Sequence, residues 1–176
     1  MNKEEFTAKR KLMQKKKSEA EHDISIVLNL FVEAKIEDWM ITGSQALIVQ
    51  GFMFHRNGGD VDVRVRIPND ETKKTELLYK FSTWAMLYPT ENKNTYKGST
   101  VQQFTFYKSN VKINVLAMTA GEYDAIPHNF AYNTWGNTGY RVEVVGSVLL
   151  DKLNLKRDKD YEDFVKSVNN LSSVCL

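Results

Sequence analysis

Seven consecutive residues, Asp60-Val61-Asp62-Val63-Arg64-Val65-Arg66, alternate a charged side chain with valine without interruption. Successive side chains of an extended strand point to opposite faces, so this run reads as a strand with a buried valine face. The charged face then looks onto water or onto a site. A helix would scatter the same charges around its circumference. The preceding Asn57-Gly58-Gly59 is a turn signal, which makes Asp60 the mouth of the strand.

The neighbouring segments can be read around that strand. Residues 3–34 favour helix, and Ile24, Val27, Leu28, Phe31 and Val32 supply an apolar stripe in its second half. Trp39-Met40-Ile41-Thr42 reads as a short buried strand, Gly43-Ser44 as a corner, and 45–50 as a helix ended by Gly51. Asn69 or Asp70 can cap a helix that stops before Pro89, and 91–99 is polar loop. Residues 101–107 and 111–116 form two strands joined by Lys108-Ser109-Asn110 as a hairpin. A further strand follows at 140–145. Ser147 is expected to cap a helix to about 155, and Asp158 or Asp160 to start a last one to about 171.

This order predicts a mixed α/β fold: a small mixed sheet flanked by helices, with a helical carboxy-terminal piece. The expected division is a basic amino-terminal helix at 1–22, an α/β core at 23–146, and carboxy-terminal helices packed on it at 147–176. With 176 residues the chain can bury a core without staples, and its lone cysteine, Cys175, excludes an intramolecular disulfide framework. No apolar run approaches the roughly 20 residues of a membrane span. Charge at Met1-Asn2-Lys3-Glu4-Glu5 replaces an apolar signal core, so the reading is cytoplasmic, without a membrane partner. Net charge is +2, which selects no partner by itself. Six cations between Lys9 and Lys17, with no acid among them, can track a phosphate backbone or can be a solvated helix face.

Chemistry concentrates where the corner and the strand mouth meet. Asp60 and Asp62 project to one side of their strand, with α-carbons roughly 7 Å apart. Two carboxylates that close repel unless a cation lies between them, and magnesium takes one or two carboxylates with phosphate and water completing its shell. Gly43-Ser44 offers backbone N–H groups and a hydroxyl suited to an anion. A phosphate cradle facing a metal dyad is the minimum equipment for phosphoryl-group transfer. The competing structural readings are an exposed edge-strand face for the acids and an ordinary helix cap for the corner.

Ile41-Thr42-Gly43-Ser44-Gln45-Ala46, then Gly51, Arg56 and Asp60-Val61-Asp62, resembles the nucleotidyltransferase superfamily of the polymerase-beta type. More narrowly the chain is similar to the small group holding abortive-infection toxins and minimal nucleotidyltransferases. Lys152, Arg157, Lys159-Asp160 and Asp163 match that group's late motif, so the resemblance spans about 24–165. It implies that Asp60 and Asp62 are catalytic and hold Mg or Mn. It implies that Gly43, Ser44, Arg56, Lys152 and Arg157 contact the phosphates of a nucleoside triphosphate, whose nucleoside monophosphate moves to an acceptor hydroxyl. An RNA end, transfer RNA included, a small molecule or a protein side chain is the expected acceptor, and an antitoxin or a second copy the expected protein partner. Apart from that resemblance, Lys152 and Arg157 read as solvated helix surface paired to Asp151 or Asp160.

One position departs from the pattern. Asn114 stands where the family carries a third carboxylate, and its amide oxygen can ligate a cation but cannot take a proton. The alternative function is therefore a catalytically degenerate relative that binds nucleotide or RNA. Glu143 reads as a solvent-facing strand glutamate. His22, His55 and His128 lack metal-ligand spacing. Tyr79, Phe81, Trp84, Tyr88, Phe104 and Phe106 read as core, and Tyr132 and Trp135 as loop aromatics able to anchor the loop or stack on a base.

Overall fold

The computed structural model describes residues 3–87, 101–132 and 138–174. Its elements are α1 (Lys3–Glu33), β1 (Trp39–Thr42), α2 (Gly43–Val49), β2 (Val61–Arg66), α3 (Glu71–Leu87) and β3 (Gln102–Lys108), followed by β4 (Val111–Met118), α4 (Ala120–Asp124), β5 (His128–Tyr132), β6 (Gly139–Glu143), α5 (Val145–Leu155) and α6 (Asp158–Val174). The fold is mixed α/β. Six strands form one mixed sheet in the order β3-β4-β2-β1-β6-β5. β2 lies near its middle, antiparallel to β1 and parallel to β4.

The alternation that opened the sequence is the axis of this sheet. Val61, Val63 and Val65 are fully buried, so Asp62, Arg64 and Arg66 face the other way. On the valine side, Ile24, Val27, Leu28 and Phe31 of α1 are buried, and Phe31 packs edge-on to Trp39 and near Phe81 and Trp84. Phe81 and Phe106 are buried, while Phe104 and Trp84 pack on the same cluster half-buried. Tyr79 and Val32 leave this core: both are exposed, because each lies beyond the stripe that faces the sheet.

The basic half of α1 stands off the body until Ala20, the first fully buried residue of the helix. It touches one connection, 51–57: Met13 lies against Gly51, Lys9 sits over the Phe54 ring, and Lys16 Nζ donates to Asn57.

Several local expectations meet the structure directly. Asp70 Oδ1 accepts the Lys73 N–H at 2.9 Å, which makes Asp70 the cap of α3. Ser109 and Asn110 both have positive φ, the backbone of a two-residue type I′ hairpin between β3 and β4. Other expectations need correction. α5 starts at Val145, not Ser147, whose hydroxyl bonds Glu143 instead of capping. α4 and β5 are additional to the expected elements, although Thr119-x-x-Glu122 is a helix-start signal for α4. α4 is five residues long, held by a reciprocal Thr119–Glu122 capping box, and β5 is an edge strand with almost no buried side chain to set a period. Tyr132 belongs to that strand, exposed, not to a loop. Tyr88, the loop 91–99, Trp135 and Cys175 lie outside the described residues. Among the described residues no helix is long and apolar enough to cross a membrane.

Candidate functional site

Antiparallel pairing of β1 with β2 sets Thr42 opposite Asp62, so the residue that follows β1 and opens α2 arrives beside that carboxylate. This residue is Gly43, with φ of +64°, and an ideal Cβ there would collide with the Asp62 carboxyl group. Only glycine serves both demands. Gly43→Ala should therefore displace Asp62 and strain the backbone, lowering stability by about 1–3 kcal/mol. A denaturant titration of the variant checks this.

The cleft beyond this corner is about 700 Å³ in volume. It is lined by all eight sequence candidates: Gly43, Ser44, Arg56, Asp60, Asp62, Asn114, Lys152 and Arg157. The valine periodicity of β2 turns Asp62 into it, and Asp60, one residue ahead of the strand, lines the same wall. Asp60 Oδ2 lies 3.0 Å from Lys112 Nζ on β4. Burial pushes the Asp62 carboxyl above the ordinary aspartate range, the Asn114 hydrogen bond partly opposes this, and Asp60 adds to it. Asp62 and Asn114 are register partners on β2 and β4, and Asn114 Nδ2 donates to Asp62 Oδ1 at 3.0 Å.

The cations Arg56, Lys152 and Arg157 also line the cleft. Lys152 on α5 is buried, not solvated: its Nζ meets Asp163 Oδ2 at 2.8 Å, Asp160 Oδ1 at 3.2 Å and Ser44 Oγ at 3.1 Å. Arg56 Nη2 also reaches Ser44 Oγ, at 3.2 Å, while its Nε binds Asp163 Oδ1 at 2.9 Å. Ser44 is thus no helix cap. Its oxygen accepts from two cations, so what it has left to offer a ligand is its proton. Arg157 donates to Asp160, and His55 Nε2 lies 2.9 Å from Asp163 Oδ1. Asp160 and Asp163 are buried. Burial alone would raise both, yet hydrogen bonds from Arg157 and Lys152 to Asp160, and from Arg56 and Lys152 to Asp163, hold them below the usual range.

A second cluster escaped the sequence reading. Glu143 is fully buried, not solvent-facing: it takes bonds from Thr42, Ser147 and Arg64 Nε, the last at 3.0 Å. Arg64 also donates to Asp151, and both line the cleft. The alternation did place Arg64 on the face of Asp62. The register that adds Gln103 and Lys112 to the lining has no local sequence signal.

The donor set fits a hard divalent cation. Two carboxylates line one cleft, glycine keeps the corner open beside one of them, and cations in the same lining can attract the anionic groups that complete such a shell. Among the described residues no group of three or more His, Cys, Asp and Glu could hold a metal. The protein's charged contribution is the aspartate pair.

Fold and cleft define a mixed α/β domain carrying a two-carboxylate, cation-walled pocket. No protein-family model matches the chain, and no curated protein sequence does. Among solved structures, an antigenic nucleotidyltransferase-like protein from Paracoccidioides brasiliensis is similar over 85% of this chain and 75% of that one, with 13% identity and a TM-score of 0.49.

Proposed function

We propose that this protein is a nucleotidyltransferase that moves a nucleoside monophosphate from a triphosphate to an acceptor hydroxyl. One observation carries the reading: a single cleft is lined by Asp60 and Asp62 together with Ser44, Arg56, Lys152 and Arg157. Asp60 and Asp62 would hold Mg or Mn, which supplies polarisation of the α-phosphate and neutralises charge on the departing pyrophosphate. Lys152 and Arg56 orient the Ser44 hydroxyl so that its proton points to a phosphate oxygen. Arg157, half-exposed at the cleft, adds positive charge where polyphosphate would lie. Positioning and charge stabilisation are the main requirements of such a transfer, and these residues supply both.

An RNA end suits the acceptor best. The basic half of α1 reaches the cleft rim through Lys16 and Asn57, next to the lining residues Arg56 and Gly58. Action on transfer RNA as a toxin, restrained by an antitoxin, is the narrower form of this reading.

The rival is a nucleotide- or RNA-binding module without catalysis. It is favoured by Asn114, which turns a neutral amide to Asp62 where a third carboxylate would stand. Incubation with each α-labelled triphosphate, Mg or Mn, and bulk RNA separates the two. Label transfer to RNA or to an added hydroxyl compound supports the enzyme. Triphosphate or RNA binding without transfer under any of these conditions overturns it in favour of the module.

A further inference from the structure

Asn114 sits in a chain of hydrogen bonds that fixes which way its amide points. Gln103 Nε2 and Thr105 Oγ1, both on the neighbouring strand β3, bond Asn114 Oδ1 at 2.6 and 2.8 Å. With its oxygen held from that side, the amide presents N–H to Asp62 Oδ1 at 3.0 Å. β3 pairs with β4 so that Thr105 is directly opposite Asn114, and β4 pairs with β2 so that Asn114 is directly opposite Asp62. Three adjacent strands therefore hand one orientation across the sheet to the carboxylate.

We propose that Asn114 is a positioning residue, anchored by Gln103 and Thr105, that aims Asp62 into the cleft before any cation arrives, and that it is not itself a cation ligand. The inference rests on the reading of Asp62 as a cation-binding acid, but its physical content exists in the metal-free protein. A carboxylate at this position would repel Asp62 and leave its orientation to the metal. The amide attracts Asp62 and needs no metal to do so. Ligation by Asn114 would require the amide to turn over, which takes its N–H away from Asp62 Oδ1 and forces Gln103, whose buried Oε1 has no hydrogen-bond partner, to turn with it.

The first test uses metal-free protein and thermal melts in a two-by-two design. Asn114→Leu should lower the midpoint by about 3–10 °C when Asp62 is present, because it strips a hydrogen bond from a half-buried carboxylate. In the Asp62→Ala background the same change should cost much less. Equal losses in both backgrounds overturn the proposal.

The second test separates positioning from ligation by the sign of an effect. Mn binding is titrated by electron paramagnetic resonance on wild type and on Gln103→Leu/Thr105→Val. If the anchors act by aiming Asp62, their loss weakens Mn binding about 10-fold. If Asn114 Oδ1 were a ligand, removing the two donors that occupy it would tighten binding. Unchanged or tighter binding overturns the proposal. Should wild type take up no Mn, with or without triphosphate, the transferase reading fails, and the melts alone decide the role of Asn114.

Discussion

Asp163→Ala is expected to melt about 6–20 °C below wild type. The carboxylate is fully buried in α6 and takes bonds from His55, from two nitrogens of Arg56 and from Lys152. Removing it leaves an arginine and a lysine packed against each other with only Asp160, already shared with Arg157, to offset them. Breaking a buried ion pair by deleting one partner costs about 3–5 kcal/mol, which at this chain length converts to the stated range. The pH dependence carries the same sign. Buried in place, Asp163 would titrate high, but its bonds from Arg56 and Lys152 bring it below the ordinary value. A carboxyl lowered in the folded state stabilises above its unfolded pKa, and that contribution drains away as pH falls through the folded value. Wild type should therefore lose stability steeply below about pH 4, and Asp163→Asn should start lower and fall less. Denaturant titrations across pH 2–7 read both. A midpoint for Asp163→Ala within a degree or two of wild type would remove this carboxylate from the centre of the structure.

Asp62→Asn should move activity and stability in opposite directions. Transfer should drop by about 1,000-fold or more, since a neutral amide surrenders half of the charge that holds the cation. The metal-free protein should melt roughly 2–4 °C higher. Burial raises the Asp62 carboxyl, so its ionised form is a cost to the fold, present above the folded pKa and absent from the isosteric amide. Asp60→Asn should abolish transfer equally and leave the melt nearly unchanged, because its partner Lys112 makes a part-exposed pair of little net worth. Transfer that survives Asp62→Asn would end the proposed mechanism. A lower melt with lost transfer would instead show Asp62 to be structural.

What could be read from the chain was whatever local periodicity encodes. Valine alternation located β2, its buried face and the shared direction of Asp62 and Arg64. The glycine corner followed from its turn residues, and the helices carrying Lys152 and Asp160 were expected in place, although Ser147 does not cap the first of them. What could not be read depends on pairing between distant segments. Lys152 looks like surface because nothing near it in sequence shows that α6 will cover it with Asp160 and Asp163. Glu143 looks like surface because its three partners come from β1, β2 and α5. β5 has no period to read, since an edge strand with both faces wet imposes none. The orientation of Asn114 is likewise a matter of strand register, set by a neighbour nine residues away.

The Ser44 hydroxyl, crowded by a guanidinium and an ammonium, gives the cleft a sieve that works by the sense of hydrogen bonding. Its lone pairs are taken by Arg56 and Lys152, and the ammonium's own hydrogens are taken by Ser44, Asp160 and Asp163, so the serine proton is what turns outward. A visitor with only protons to offer, such as an ammonium, finds no lone pair there. A bare oxygen rim meets that one proton, backed by the charge of Arg56 and Lys152.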